Sequence, residues 1–310
     1  MLCIFNPEHD LCLANGNRHF VPPVSALRFA QEGASMMQVL YPGSVAVDAA
    51  QAGSAYKEAL ASRGEKGELQ IVPWGWNIAL KTQLLKVGIP ESLMPNDETL
   101  ALWRKLQHRS TLLPLQPQSR AVTMPDEVED MVKEYDEVVM KAPWSSSGRG
   151  LRWVRGTLGE HDIHWMQKMV REQGSVIAEP RRRVAGDFAF EYMLKGGSMT
   201  FVGYSLFKSE MGVYRSNLLL KDEEIAQRMG VTESLKTRLE DWMSMQITPY
   251  YDGPLGVDCI RSEDGRVYVS EINLRHTMGL VAHGYLQLHP EVEGKALELK
   301  DNRLQVAAGL

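Results

Sequence analysis

The chain has 310 residues, 44% of them hydrophobic and 24% charged, with a net charge of −5. That is the balance of a globular protein with apolar material for two or three subdomains. It carries no long basic run to suggest a nucleic-acid partner, and no apolar stretch approaches the ~18 residues that a membrane helix needs. The apolar start, Met1 to Phe5, is too short for a signal-peptide core. Cys3, Cys12 and Cys259 lack metal-ligand spacing and read as buried reduced thiols, with the cytoplasm as the expected compartment.

Residues 1–95 alternate short apolar runs with helical patterns, as βα units do. Strands are predicted at 2–5, 44–48 and 69–73, and helices at 24–40, 55–63 and 76–87. They imply a small parallel sheet with helices on its faces. No G-x-G-x-x-G follows the first strand, so a dinucleotide fingerprint is absent. Gly88-Ile89-Pro90 and Pro95-Asn96-Asp97 punctuate a boundary, and Asp97 is expected to cap a helix running from Glu98 to His108. Pro114, Pro117 and Pro125 mark a loop-rich connector before a helix at 126–135. Strands then dominate, at 138–144, 151–155, 176–179, 187–194, 199–207 and 213–220, with helical patterns at 162–173 and 222–245. A last hairpin, 255–261 with 266–273, precedes a helix at 278–288. The fold class is mixed α/β.

The hairpin is the most informative segment. Asp264-Gly265 is a strong two-residue turn signal. If it closes the hairpin, Asp258 lies directly opposite Glu271, with Cβ atoms about 5 Å apart. Asn273 then shares the face of Glu271. Facing carboxylates destabilise a sheet unless a shared proton, Arg275 or a divalent cation neutralises them. A solvated hairpin with both acids in water is the plain alternative. The third oxygen donor on the same face favours a hard cation such as Mg²⁺.

Lys141 ends an apolar strand and is followed by Ser145-Ser146-Ser147-Gly148-Arg149-Gly150. Singly, these are a lysine reaching solvent and a turn. Together they set a cation beside a loop of backbone and hydroxyl donors able to fold around phosphates. The lysine precedes the glycines, so this is not a Walker A loop.

In this order, over residues 96–280, the chain resembles the ATP-grasp superfamily, and Glu271-Ile272-Asn273-Leu274-Arg275 is the most specific match. The resemblance implies a Rossmann-like pre-ATP-grasp domain at 1–95, a small subdomain at 96–180 and a C-terminal subdomain at 181–310. It implies ATP with Mg²⁺, Mn²⁺ being the alternative metal. Lys141 and Lys105 would contact phosphates, and Ser145, Ser146, Ser147, Gly148, Arg149 and Gly150 would close over them. Glu179 would lie at the adenosine end, although Pro180-Arg181-Arg182-Arg183 replaces the family's apolar hinge, and Leu274 stands where many relatives have proline. Asp258, Glu271 and Asn273 would hold the metal, and Arg275 would stabilise transferred charge. The implied activity is a ligase that activates a small-molecule carboxylate for capture by an amine or thiol. A kinase and a non-catalytic nucleotide binder are the alternatives, and a homodimer is the default assembly.

Substrate contacts are less defined. His9, in Glu8-His9-Asp10, follows the first strand, where open α/β sheets place ligand loops; helix capping by Asp10 is the competing reading. Arg215 and Asn217 alternate along a strand, so both are expected to face the cleft or both to face water, and Arg215 would recognise a carboxylate. His276 and His283 lack a third partner for a metal.

Overall fold

Leu2, Cys3 and Ile4 are fully buried and form β1 (Leu2–Ile4), the middle of a 3-stranded parallel sheet with β2 (Val45–Val47) and β3 (Ile71–Pro73). A strand covered on both faces shows an apolar run rather than alternation. The computed structural model describes residues 1–63, 69–145, 150–210 and 213–309. Packed around this sheet are α1 (His9–Asn15), α2 (Val24–Gly33), α3 (Met37–Leu40), α4 (Ala52–Arg63) and α5 (Ile78–Lys86). The single helix expected over 24–40 is interrupted by a 3-10 turn, Ala34–Met36. The break falls where Gly33 packs so closely that a Cβ would lie 2.9 Å from Phe5 and 2.7 Å from Met36.

The next helix, α6 (Asp97–Leu106), is capped by Asn96, whose side chain accepts from the Thr99 N–H. Asp97, expected as the cap, is instead the first helical residue. It accepts from Lys81 and Arg18, each at 2.7 Å. Lys81 is 2% exposed, so the pairing with Asp97 and Glu91 offsets the cost of burying an ammonium.

A 4-stranded antiparallel sheet follows, in the order β4-β7-β5-β6. Its strands are β4 (Arg120–Val122), β5 (Glu137–Lys141), β6 (Leu151–Arg155) and β7 (Val176–Pro180). The helices α7 (Pro125–Tyr135) and α8 (Glu160–Gln173) pack on it through Val128, Met131, Met166 and Met169. β4 lies within the stretch read from sequence as connector; three residues between prolines give too short a pattern to recognise.

The largest sheet has 7 strands in the order β12-β11-β8-β9-β10-β13-β14. They are β8 (Val184–Lys195), β9 (Ser198–Glu210), β10 (Val213–Leu218), β11 (Gly253–Ser262), β12 (Val267–Asn273), β13 (Ala296–Lys300) and β14 (Arg303–Ala307). The helical stretch expected at 222–245 is two helices, α9 (Asp222–Met229) and α10 (Glu233–Gln246), separated at Gly230, whose φ is 66°. One face of the sheet packs Phe188, Phe190, Tyr192, Leu255 and Val257 against Trp242 and Met243. Residues that alternate with these, Asp187, Ala189 and Glu191, look into a cleft. α11 (Met278–Leu288) lies across β9 and α3. No helix among the described residues is long and apolar enough to cross a membrane.

Candidate active site

Between β11 and β12 the turn holds three residues, Glu263, Asp264 and Gly265, inside the pair Ser262 and Arg266, the Ser262 N–H donating to the Arg266 carbonyl. Gly265 has φ 83°, the left-handed conformation such a loop requires. Near the turn the partners are Arg261 with Val267, Ile260 with Tyr268 and Cys259 with Val269, one residue off the register of a two-residue turn. A β-bulge then inserts Ser270, and beyond it Asp258 partners Glu271, and Gly256 partners Asn273. The two offsets cancel. Asp258 and Glu271 oppose each other as the sequence predicts, but through a bulge that the sequence reading did not include.

On the other side of β11, Asp258 partners Ala189 of β8 and Gly256 partners Glu191. Asp187 and Glu191 are therefore both diagonal neighbours of Asp258, with Cβ separations of about 7–8 Å. Four carboxylates share one sheet face, each in a different environment. Asp258 is partly exposed toward the cleft and accepts from the Asn273 amide at 3.1 Å. Burial, then Glu271, then Glu191 push its pKa up to about 8. Glu271 meets Arg109 at 2.7 Å. Glu191 is fully buried; it accepts from the Ser205 hydroxyl at 2.9 Å and the Thr277 hydroxyl at 2.8 Å, and burial pushes its pKa up to about 7. Asp187 accepts from Ser209 and is also pushed upward by burial.

Among the described residues three cations line the cavity with these acids, and each is already engaged. Arg109 leaves a 3-10 turn after α6 and reaches Glu271, the Ser145 hydroxyl at 2.8 Å and the Ala142 carbonyl. Lys141, at the end of β5, meets Glu179 of β7 at 2.5 Å and donates to the bulged Ser270 at 3.4 Å. Arg275 donates twice to Asp10 at 2.9 Å and once to the Asn273 amide oxygen at 2.9 Å. One cavity of about 450 Å³ is lined by Asp10, Lys141, Glu191, Asp258, Glu271 and Arg275 among others. A second, of about 640 Å³, lies between the 4-stranded and 7-stranded sheets and includes Val139, Trp153 and Glu179. The two share Lys141, Leu151, Asp187, Ile260 and Ser270, among others, as walls.

Sequence-derived candidates divide accordingly. Lys141, Ser145, Asn217, Asp258, Glu271, Asn273 and Arg275 line the first cavity, and Glu179 lines the second. Gly150 is buried; its carbonyl accepts from the Ala142 N–H at 2.8 Å, and a Cβ there would lie 2.4 Å from that of Ser145. Ser146, Ser147, Gly148 and Arg149 lie outside the described residues.

Three expectations need correction. Lys105 is exposed on α6 and does not line the cleft; the cation this region delivers is Arg109, four residues on. His9 is fully buried, packed on Gly75 and 3.2 Å from the Asn77 amide, and burial lowers its pKa to about 4. Its neighbour Asp10 reaches the cleft instead. Arg215 is the extra residue of a β-bulge in β10, between Tyr214 and Ser216. The bulge breaks the alternation that linked it to Asn217. Arg215 is exposed against Glu210, whereas Tyr214 and Asn217 both line the cavity, the Tyr214 hydroxyl donating to Asn217 at 2.7 Å.

Arg109, Glu191 and Asp187 were not singled out from sequence. Arg109 carries no periodic signal. The two acids could have been found: Phe188, Phe190 and Tyr192 alternate as a core face, which sends Asp187 and Glu191 to the opposite one.

No group of three or more His, Cys, Asp or Glu side chains able to hold a metal occurs among the described residues. The donor set at the hairpin is two carboxylates and one amide. It still fits a hard cation, because Asp258 and Glu271 are opposed oxygen donors and the Asn273 amide lies beside them.

No family model and no curated protein matches the sequence. Among solved structures, the chain is similar to N5-carboxyaminoimidazole synthetase from Staphylococcus aureus complexed with ADP, at 13% identity and TM-score 0.53, over 92% of this chain and 76% of that one. It is similar to a biotin carboxylase–beta-gamma-ATP complex from Campylobacter jejuni at 15% and 0.51, over 70% of this chain and 51% of that one. A third is carboxyaminoimidazole ribonucleotide synthase from Aspergillus clavatus complexed with ATP, at 13% and 0.50, over 96% and 74%. These are ATP-grasp enzymes, and the chain has the ATP-grasp fold.

Proposed function

We propose that the protein is an ATP- and Mg²⁺-dependent ligase that activates a carboxylate and transfers its acyl group to an amine. The observation that carries this reading is the opposition of Asp258 and Glu271 inside a cleft that also receives Lys141 and Arg275. Asp258, Glu271 and the Asn273 amide would hold Mg²⁺, which when bound withdraws charge from phosphate oxygens. Lys141 is poised between the two cavities and would pass from Glu179 to the phosphates of a nucleotide lying between the sheets. Arg275 is fixed by Asp10 and supplies positive charge that need not reorganise during the reaction.

In the first step, a substrate carboxylate oxygen attacks the γ-phosphorus and the bond to ADP breaks. In the second, the amine nitrogen attacks the acyl carbon and phosphate leaves with the C–O electron pair, the amine proton passing to solvent. Positioning and charge neutralisation dominate such transfers. A screen of carboxylates crossed with amines, read by ADP release with Mg²⁺ present, tests the proposal. Sustained ADP release over many turnovers only when metal, carboxylate and amine are all present is the expected result, with at most one equivalent per enzyme when the amine is left out. Release that needs a hydroxyl compound and no amine would instead identify a kinase, and no release with any pair would contradict catalysis.

A further inference from the structure

Glu191 is buried, has no ion pair among the described residues, and lines the cavity of the hairpin. Each carboxylate oxygen accepts a hydroxyl: Oε1 from Ser205 at 2.9 Å and Oε2 from Thr277 at 2.8 Å. Thr277 also accepts the Leu280 N–H at 3.0 Å as the cap of α11, so its own hydrogen is directed to Glu191. One hydroxyl donor per oxygen favours the carboxylate form. Hydroxyls do not neutralise it, however, and a buried charge is costly until it is paired.

No Lys, Arg or His among the described residues makes an ion pair with Glu191. The cations lining the cavity are committed elsewhere, Arg109 to Glu271, Lys141 to Glu179 and Arg275 to Asp10. Arg275 is close enough to influence Glu191, but its guanidinium is spent on Asp10, Asn273 and the His276 carbonyl.

The same cavity has an aromatic wall from the N-terminal region, with Phe29 on α2 and Phe5 and Trp74 just after β1 and β3. Phe29, Phe5 and Trp74 form an edge-to-face series with centroids 5.3 and 5.2 Å apart, and all three line the cavity. Carboxylate and aromatic surfaces together are the chemistry that holds an organic ammonium ion. Gly279 keeps the place open for the carboxylate: a Cβ there would lie 1.9 Å from Glu191 Oε1 and 2.3 Å from Ser205 Oγ. Glu191 also sits one diagonal step from Asp258, within about 7–8 Å by Cβ, so a ligand held there reaches the hairpin without taking its carboxylates.

We propose that Glu191 determines specificity for a cationic acceptor, receiving an ammonium group in the cavity that Phe5, Phe29 and Trp74 also line. Calling that ligand the acceptor rests on the ligase reading; the preference for an organic cation does not. The test uses the full chain and two matched pairs of probes, diaminobutane against butanediol and butylamine against butanol, titrated at neutral pH by calorimetry. MgATP is titrated separately. The amines are expected to bind at least about tenfold more tightly than their neutral partners, and Glu191→Gln to remove that preference. Gly279→Ala, which forces the carboxylate aside, should do the same and serves if Glu191→Gln does not fold.

Equal binding of charged and neutral probes, binding of neither, or a preference that survives in a folded variant would overturn the proposal. So would potassium chloride at the same ionic strength abolishing the preference by occupying the site. Failure of MgATP to bind, with the amine preference intact, would contradict the ligase reading and leave the cation site standing.

Discussion

Two carboxylates on one sheet face, Glu271 and Glu191, meet their surroundings in opposite ways. Glu271 is partly exposed and paired with the Arg109 guanidinium; Glu191 is fully buried and has two hydroxyls. An arginine neutralises a carboxylate and must yield before another cation can take its place. Hydroxyls orient a carboxylate and leave its charge available. The hairpin end of the cleft is thus held shut by charge pairs within the protein, while the end beside Gly279 is organised to accept charge from a ligand. Arg109 also bonds Ser145 and the Ala142 carbonyl, so whatever draws it from Glu271 disturbs the root of the serine-rich segment as well.

The largest effect should come from breaking the hairpin end. Glu271→Gln keeps the shape, removes one proposed metal ligand, and is expected to lower the rate of ADP release by about 10²–10³. Retained turnover would refute the metal role. Next, Arg109→Met leaves Glu271 and the Ala142 carbonyl without their partner. It should cost about 2–4 kcal/mol in denaturant unfolding, whereas Glu191, with no arginine to lose, would be untouched; a stability near wild type would show that the pair contributes little.

The comparison also has a pH signature. Folded Asp258 holds its proton up to about 8, against an ordinary value of 3.8, so between those values the folded state binds more protons than the unfolded one. Stability of the ligand-free protein should therefore fall as pH rises through that window. Glu191, raised to about 7, contributes with the same sign. Asp258→Asn should make the fall shallower when melting temperature is followed against pH, and an unchanged slope would contradict the assignment. The smallest effect is expected at Arg215→Ala. Its pair with Glu210 is half exposed, so stability should move by less than about 0.5 kcal/mol and substrate KM should not change.

Periodicity made the N-terminal βα elements and the late hairpin legible, because a buried strand or an amphipathic helix writes its burial into spacing. It could not show where a strand gains a residue. The bulge at Ser270 restored a register that the three-residue turn had shifted, and the bulge at Arg215 broke one that alternation had implied. Bulges depend on cross-strand partners, which lie far away in sequence. Arg109 was hidden for a similar reason, since its partners Ala142, Ser145 and Glu271 are all remote. The β13–β14 hairpin was missed despite a usable signal: Asp301 and Asn302 both adopt positive φ, 49° and 59°, as a tight two-residue turn requires.

The most direct test is a calorimetric titration of ATP into wild type and Asp258→Asn, each with Mg²⁺ and again with a chelator. If the paired acids of the hairpin grip a metal that carries the nucleotide, Mg²⁺ should tighten ATP binding to wild type by at least about tenfold, and most of that gain should vanish in the variant. ATP bound equally well without metal, or a gain that survives in Asp258→Asn, would contradict it.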